Sequence, residues 1–127
     1  MDQVLIVEDD KKVAMALTQR LNRAGFDVLH ARDALEGVAL AVKHLPAVIV
    51  LDVGMPAGGG FSVIERLENL PSTASIPVII LTANRDLRLR VRAEELGVVA
   101  YFEKPYEADR LLSAVRTAAD RNTVRST

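Results

Sequence analysis

Residues 47–52 read Ala47-Val-Ile-Val-Leu51-Asp52, five apolar residues, three of them β-branched, closing on a carboxylate. A half-exposed strand would alternate apolar with polar residues; an unbroken run predicts a strand covered on both faces, as in a parallel sheet lined by helices. Val4 to Val7 and Val78 to Leu81 have the same character, which places these three in the middle of a sheet. Asp27 to Leu29 is shorter and more polar and predicts an edge strand, and Val99 to Phe102 supplies a fifth.

The segments between these runs carry helical spacing. Val13, Leu17, Leu21 and Ala24 share one helical face, and Gly25 stands where a left-handed cap belongs. Further helices are predicted from Ala34 to His44, ended by Pro46, from Phe61 to Leu70, ended by Pro71, and from Glu107 to Asp120. Residues 87–92, Leu-Arg-Leu-Arg-Val-Arg, have a period of two that by itself argues for a strand. Leu89, Ala93 and Leu96 nevertheless recur at helical spacing before Gly97, and a strand here would follow Val78 to Leu81 with almost no turn. The segment is therefore assigned to a helix, with Leu87 and Val91 off its core face. Gly37 inside the second helix is expected to weaken it by about 1 kcal/mol relative to alanine. Five βα units with right-handed crossovers give an α/β fold, a single doubly wound five-stranded parallel sheet with five helices.

With 127 residues, half of them apolar, the chain suits one domain, placed at 1–120, with 121–127 as a polar tail or the start of a linker. Sixteen Lys and Arg against seventeen Asp and Glu leave a formal charge of −1, so no global field draws the protein to nucleic acid or an anionic membrane. The absence of cysteine excludes disulfides, thiolate metal sites and cysteine nucleophiles. No run approaches the roughly 20 apolar residues that span a bilayer, and nothing reads as a signal peptide, so a cytoplasmic location is the expectation.

Ligands of such sheets bind outside the carboxyl ends of the strands. There the chain carries Glu8-Asp9-Asp10, Asp52, Thr82 and, slightly beyond the fifth strand, Lys104. Crowded carboxylates repel one another and take up protons unless a cation compensates them. An all-oxygen donor set favours hard Mg²⁺, whose octahedral shell leaves room for a phosphoryl oxygen. A nucleophile, a fixed positive charge and a hydroxyl complete what phosphoryl transfer needs.

The runs Val4-Leu-Ile-Val-Glu8-Asp9-Asp10, Leu51-Asp52-Val-Gly-Met-Pro56, Leu81-Thr82-Ala83 and Lys104-Pro105 resemble the response-regulator receiver domains of two-component signalling, the CheY-like family. The resemblance extends from about Val4 to Ala119. It implies the flavodoxin-like strand order 2-1-3-4-5. It further implies that Asp52 is the phosphoacceptor, attacking a phosphohistidine on a sensor histidine kinase or phosphotransfer domain. Glu8, Asp9, Asp52 and the backbone carbonyl of Gly54 are then the Mg²⁺ ligands. Lys104 pairs with a phosphoryl oxygen, Thr82 and the amide of Ala83 bind others, and Pro105 follows a cis peptide bond. Thr82 and Tyr101 form the switch that reshapes the face of helix four, strand five and helix five. The chain is then a signalling switch, catalysing only its own phosphorylation and dephosphorylation. Its effector is expected on a face with Leu87, Val91 and Tyr101, which could equally serve a homodimer.

Plainer roles stand beside these. Asp10 reads as the cap of the first helix, where negative charge is favoured, and is left out of the metal set. Thr82 could cap helix four, and Arg85, Arg88, Arg90 and Arg92 could be a solvated helix face. His30 and His44, lacking partners at ligand spacing, read as surface residues, and Gly58-Gly59-Gly60 as a flexible loop without the ending of a P-loop. Two rival functions remain. One is a Mg²⁺-dependent aspartyl phosphohydrolase, against which stands Gly54 where those enzymes carry a second Asp. The other is a binding module, either a flavin carrier or a receiver that signals without phosphorylation. No hydroxyl-rich phosphate loop follows strand one to support flavin.

Overall fold

The computed structural model describes the backbone of residues 2–54 and 59–126, and the side chains of 2–54 and 60–120. In chain order the elements are β1 (Gln3–Val7), α1 (Lys11–Arg23), β2 (Asp27–Ala31), α2 (Ala34–His44), β3 (Val48–Asp52), α3 (Gly59–Glu68), β4 (Val78–Thr82), α4 (Leu87–Glu95), β5 (Ala100–Glu103) and α5 (Ala108–Ser126). The strands pair in parallel in the order β2-β1-β3-β4-β5, so the three unbroken apolar runs are central and the polar second strand is at an edge.

Successive side chains of a strand point to opposite faces, and the core divides accordingly. Val4 and Ile6 of β1 pack with Leu17 and Leu21 of α1 and Leu111, Val115 and Ala118 of α5. Leu5 and Val7 face the other way, towards Ala41 of α2, Val63, Ile64 and Leu67 of α3, and Ala93 of α4. Each fully buried Leu, Ile or Val contributes roughly 1.5–3 kcal/mol of transfer free energy, and such residues form most of both layers, with Ala and Phe filling the rest.

The helix ends follow local chemistry. Asp10 caps α1, accepting from the amides of Lys12 and Val13 at 2.9 and 3.2 Å, and Gly25 after it has φ 97°. Asp33 caps α2 through the Glu36 amide. At the other end Leu45 takes the left-handed capping conformation, φ 47°, with its N–H on the Ala41 carbonyl, and Pro46 after it cannot continue the helix. Asp86, not Thr82, caps α4 through the Arg88 amide. Within α4, Ala93 is fully buried and Leu89 and Leu96 pack on the core, whereas Leu87 and Val91 are exposed. The alternating run is a helix because its apolar face has a core to meet.

Several boundaries move. α3 closes at Glu68 instead of Leu70, because a turn follows in which buried Thr73 donates its hydroxyl to the Leu67 carbonyl at 2.8 Å. α5 continues as backbone helix to Ser126, past Asp120 and through most of the segment expected as a tail. The glycine run is also not simply a loop: Gly59 and Gly60 open α3, while Gly58 lies outside the described residues. A Cβ on Gly60 would fall 2.5 Å from Val53 Cα, so a glycine is what lets α3 approach the chain leaving β3. Gly37 is similar, since a Cβ there would meet the two methyls of Val7 at 3.0 and 3.2 Å.

Candidate functional site at the strand ends

β1 and β3 are neighbours in the sheet, so the carboxylates at their ends emerge side by side. One carboxylate oxygen from each of Glu8, Asp9 and Asp52 lies within 4.8 Å of the other two. Glu8 is buried, Asp52 partly so, and Asp9 opens to solvent. The Gly54 amide donates to Asp52 Oδ1 at 2.7 Å, which leaves Oδ2 towards Lys104. β5 carries Lys104 to the same rim from the other side of β4, and its Nζ lies 3.2 Å from Glu8 Oε1 and 3.4 Å from Asp52 Oδ2.

These charges act on one another. Glu8 is pushed up to about 7, first by burial, then by the Asp52 carboxylate and the hydrogen bond between the two, with Lys104 pulling the other way. Burial works to lower the Lys104 ammonium, but Asp52 and then Glu8 outweigh it and the net shift is upward. One ammonium thus offsets only part of a three-carboxylate cluster. That excess of anionic oxygen, in a pocket with an open side at Asp9, fits a hard divalent cation such as Mg²⁺.

Thr82 ends β4 with its side chain fully buried, and its hydroxyl accepts from the Asn84 amide at 3.0 Å. A Cβ on Gly54 would lie 3.3 Å from Asp52 Oδ1 and 3.6 Å from Thr82 Oγ1, so carboxylate and hydroxyl flank one small space. Ala83 follows at the exposed mouth. The Lys104–Pro105 peptide is cis, as the resemblance implied. Met55 and Pro56 of the motif lie outside the described residues.

Tyr101 is half-buried on β5, packed against the α2–α4 side of the core, with the Arg90 guanidinium 4.9 Å from its ring centre. Arg85, Arg88, Arg90 and Arg92 are all exposed, as a solvated basic face requires, and they also have partners. Arg88 pairs with Asp86 and Arg92 with Glu65, Arg92 also lies over Phe61, and Arg85 donates to the Lys104 carbonyl at 3.3 Å. Leu87 and Val91 line an open groove of about 550 Å³ with Glu65, Arg88, Arg92, Glu95 and Leu96. His30 is a correction: it is half-buried, with Nε2 2.7 Å from the Glu8 carbonyl, whereas His44 is exposed as expected.

Comparison with known proteins gives the family and the fold. The family model described as the response regulator receiver domain matches residues 4–116. The chain belongs to the response-regulator receiver domains. The receiver domain is 36% identical over 121 residues to the DNA-binding dual master transcriptional regulator RpaA of Synechocystis sp., a match covering 95% of this chain and 50% of that protein. It is 33% identical over 123 residues to the transcriptional regulatory protein KdpE of Mycobacterium tuberculosis, covering 97% and 53%. The chain thus spans about half the length of these curated relatives. Among solved structures, a CheY-like receiver domain of Methanospirillum hungatei superposes with TM-score 0.89 at 25% identity, covering 98% of both chains. The signal receiver domain of a Syntrophus aciditrophicus signal transduction histidine kinase gives 0.86 at 32%, covering 94% and 91%. The fold is the CheY-like, flavodoxin-like one, and the module is a receiver of two-component signalling. Among the described residues no helix is long and apolar enough to cross a membrane.

Proposed function

We propose that this receiver domain is a phosphorylation switch in which Asp52 accepts a phosphoryl group from a phosphohistidine on a sensor histidine kinase or phosphotransfer domain. The observation that carries the reading is the convergence of Glu8, Asp9 and Asp52 within 4.8 Å, with Lys104 on the same pocket. An Asp52 oxygen attacks phosphorus, the P–N bond to histidine breaks, and the new O–P bond gives an aspartyl phosphate. The Gly54 amide holds Oδ1 and thereby aims the carboxylate. Lys104 neutralises charge gathering on the phosphoryl oxygens, and the Thr82 hydroxyl and the Ala83 amide hold others. Glu8, Asp9, Asp52 and the Gly54 carbonyl would hold Mg²⁺. When bound, it offsets the repulsion between carboxylate and incoming phosphoryl oxygens.

Output follows from linkage: phosphorylation shifts the population only if the active conformer binds the phosphoryl group better. Thr82 moving towards that group, and Tyr101 responding beside it, would reshape α4, β5 and α5, where an effector or a second copy docks. Several relatives are named as transcriptional regulators, and a DNA-binding output is the corresponding proposal for any longer protein carrying this domain. A phosphohydrolase role is disfavoured by Gly54, which leaves the site without a second acid at that position. Intact-mass measurement after incubation with acetyl phosphate and Mg²⁺ tests the proposal. One phosphoryl mass is expected on wild type and none on Asp52→Ala or in excess chelator. An unmodified wild type would overturn it.

A further inference from the structure

β1 leaves the sheet at Glu8, and that residue is held by β2 at both of its backbone polar groups. Its N–H donates to the Ala31 carbonyl at 3.0 Å, continuing the ladder, while its C=O accepts from His30 Nε2 at 2.7 Å. Because a carbonyl oxygen only accepts, Nε2 carries the hydrogen, which fixes the tautomer. The ring shares a shallow groove with Ala14, Met15 and Thr18 of α1, so a half-buried side chain reaches from β2 to a strand end outside the ladder. The Glu8 carbonyl and the Asp9 N–H lie in one rigid plane. Fixing that carbonyl therefore sets the direction in which the backbone presents Asp9 and, on its other side, Glu8.

We infer that His30 is a positioning residue for the divalent-cation site: its imidazole locks the Glu8–Asp9 peptide so that both carboxylates converge with Asp52. This rests on reading those three carboxylates as the Mg²⁺ site. Their mutual repulsion drives exposed Asp9 outwards, and a tether one bond away opposes that drift without lending a ligand of its own. Cation binding then needs less rearrangement.

Two variants separate the hydrogen bond from the bulk of the ring: His30→Phe keeps the ring and drops the donor, and His30→Gln keeps a donor at a similar reach. Mg²⁺ dissociation constants from titration calorimetry are compared with thermal unfolding in chelator and with hydrogen exchange at the Asp9 and Asp10 amides. His30→Phe is expected to weaken Mg²⁺ roughly tenfold and to speed that exchange. His30→Gln should return both towards wild type. A melting temperature in chelator that falls equally for both variants would then not account for the split in Mg²⁺ affinity. Unchanged affinity in His30→Phe overturns the role of His30 alone, as does a glutamine variant as weak as phenylalanine. A wild type that takes up no Mg²⁺ removes the cation site and this role with it.

Discussion

The Lys104 ammonium lies 3.4 Å from Asp52 Oδ2, although 52 positions separate the two in sequence and a whole strand, β4, lies between their strands in the sheet. On the proposed mechanism the contact makes Lys104 a competitor of any cation and a helper of any phosphoryl group. Lys104→Met should therefore tighten Mg²⁺ by roughly threefold or more, the worth of one partly screened charge interaction. The same variant should slow phosphorylation by acetyl phosphate. Titration calorimetry and timed intact-mass spectra read the two effects, and movement of both in one direction would contradict this account.

Glu8 gives the fold a pH dependence in the absence of metal. Its carboxyl is raised to about 7 when folded against 4.5 as the reference, so the folded protein binds more protons than the unfolded chain between those values. Stability from this group is complete below about pH 4.5 and is lost as pH rises through 7. In chelator, the melting temperature should fall between pH 5 and 8 more steeply for wild type than for Glu8→Gln. Saturating Mg²⁺ should reduce the difference, because the cation compensates the ionised cluster. Equal slopes for the two proteins in chelator would refute the linkage.

On the proposed mechanism, Thr82 separates acceptance from response. Its hydroxyl is not among the atoms that make the nucleophile, yet it shares the space beside Asp52 Oδ1. Thr82→Ala should still gain the phosphoryl mass, but amide shifts in α4 and β5 on phosphorylation should shrink strongly. Thr82→Ser, which keeps the hydroxyl, should retain most of the response. Heteronuclear NMR of the three proteins with acetyl phosphate decides it.

Gly60 tests the packing of α3 independently of the chemistry. Alanine is the better helix former, but its Cβ would lie 2.5 Å from Val53 Cα, a clash with backbone that no rotamer relieves. Gly60→Ala should destabilise the domain by about 1–3 kcal/mol in urea unfolding. A gain in stability would mean that α3 does not approach the chain after β3 so closely.

Residues whose position is set by the strand register were legible from the sequence. The apolar runs of β1, β3 and β4 announce buried parallel strands, and Glu8, Asp52 and Thr82 follow from standing at their ends. α4 was harder, since the alternation from Leu87 to Arg92 mimics a strand until its single core-facing stripe of Leu89, Ala93 and Leu96 is weighed. His30 could not be found this way: its bond to Glu8 spans 22 residues and joins a side chain to a backbone atom, so no period records it. Propensity alone also misjudges Gly37, which costs helix stability locally but lets α2 close on Val7. The partners of the arginines depend on how α3, α4 and β5 meet, and composition could only suggest a solvated face.

The partition of the core into two layers has a mechanical consequence. Helices α1 and α5 are bolted to one side of the sheet, while α4 and Tyr101 belong to the other, and the acidic pocket opens at the rim common to both. On the proposed mechanism a rearrangement around Tyr101 would therefore start in one compartment and have to cross the sheet to reach α5, while α1, packed on Val4 and Ile6, serves as the foundation. The sheet is a wall between them, and the domain can change its outline without surrendering its footing.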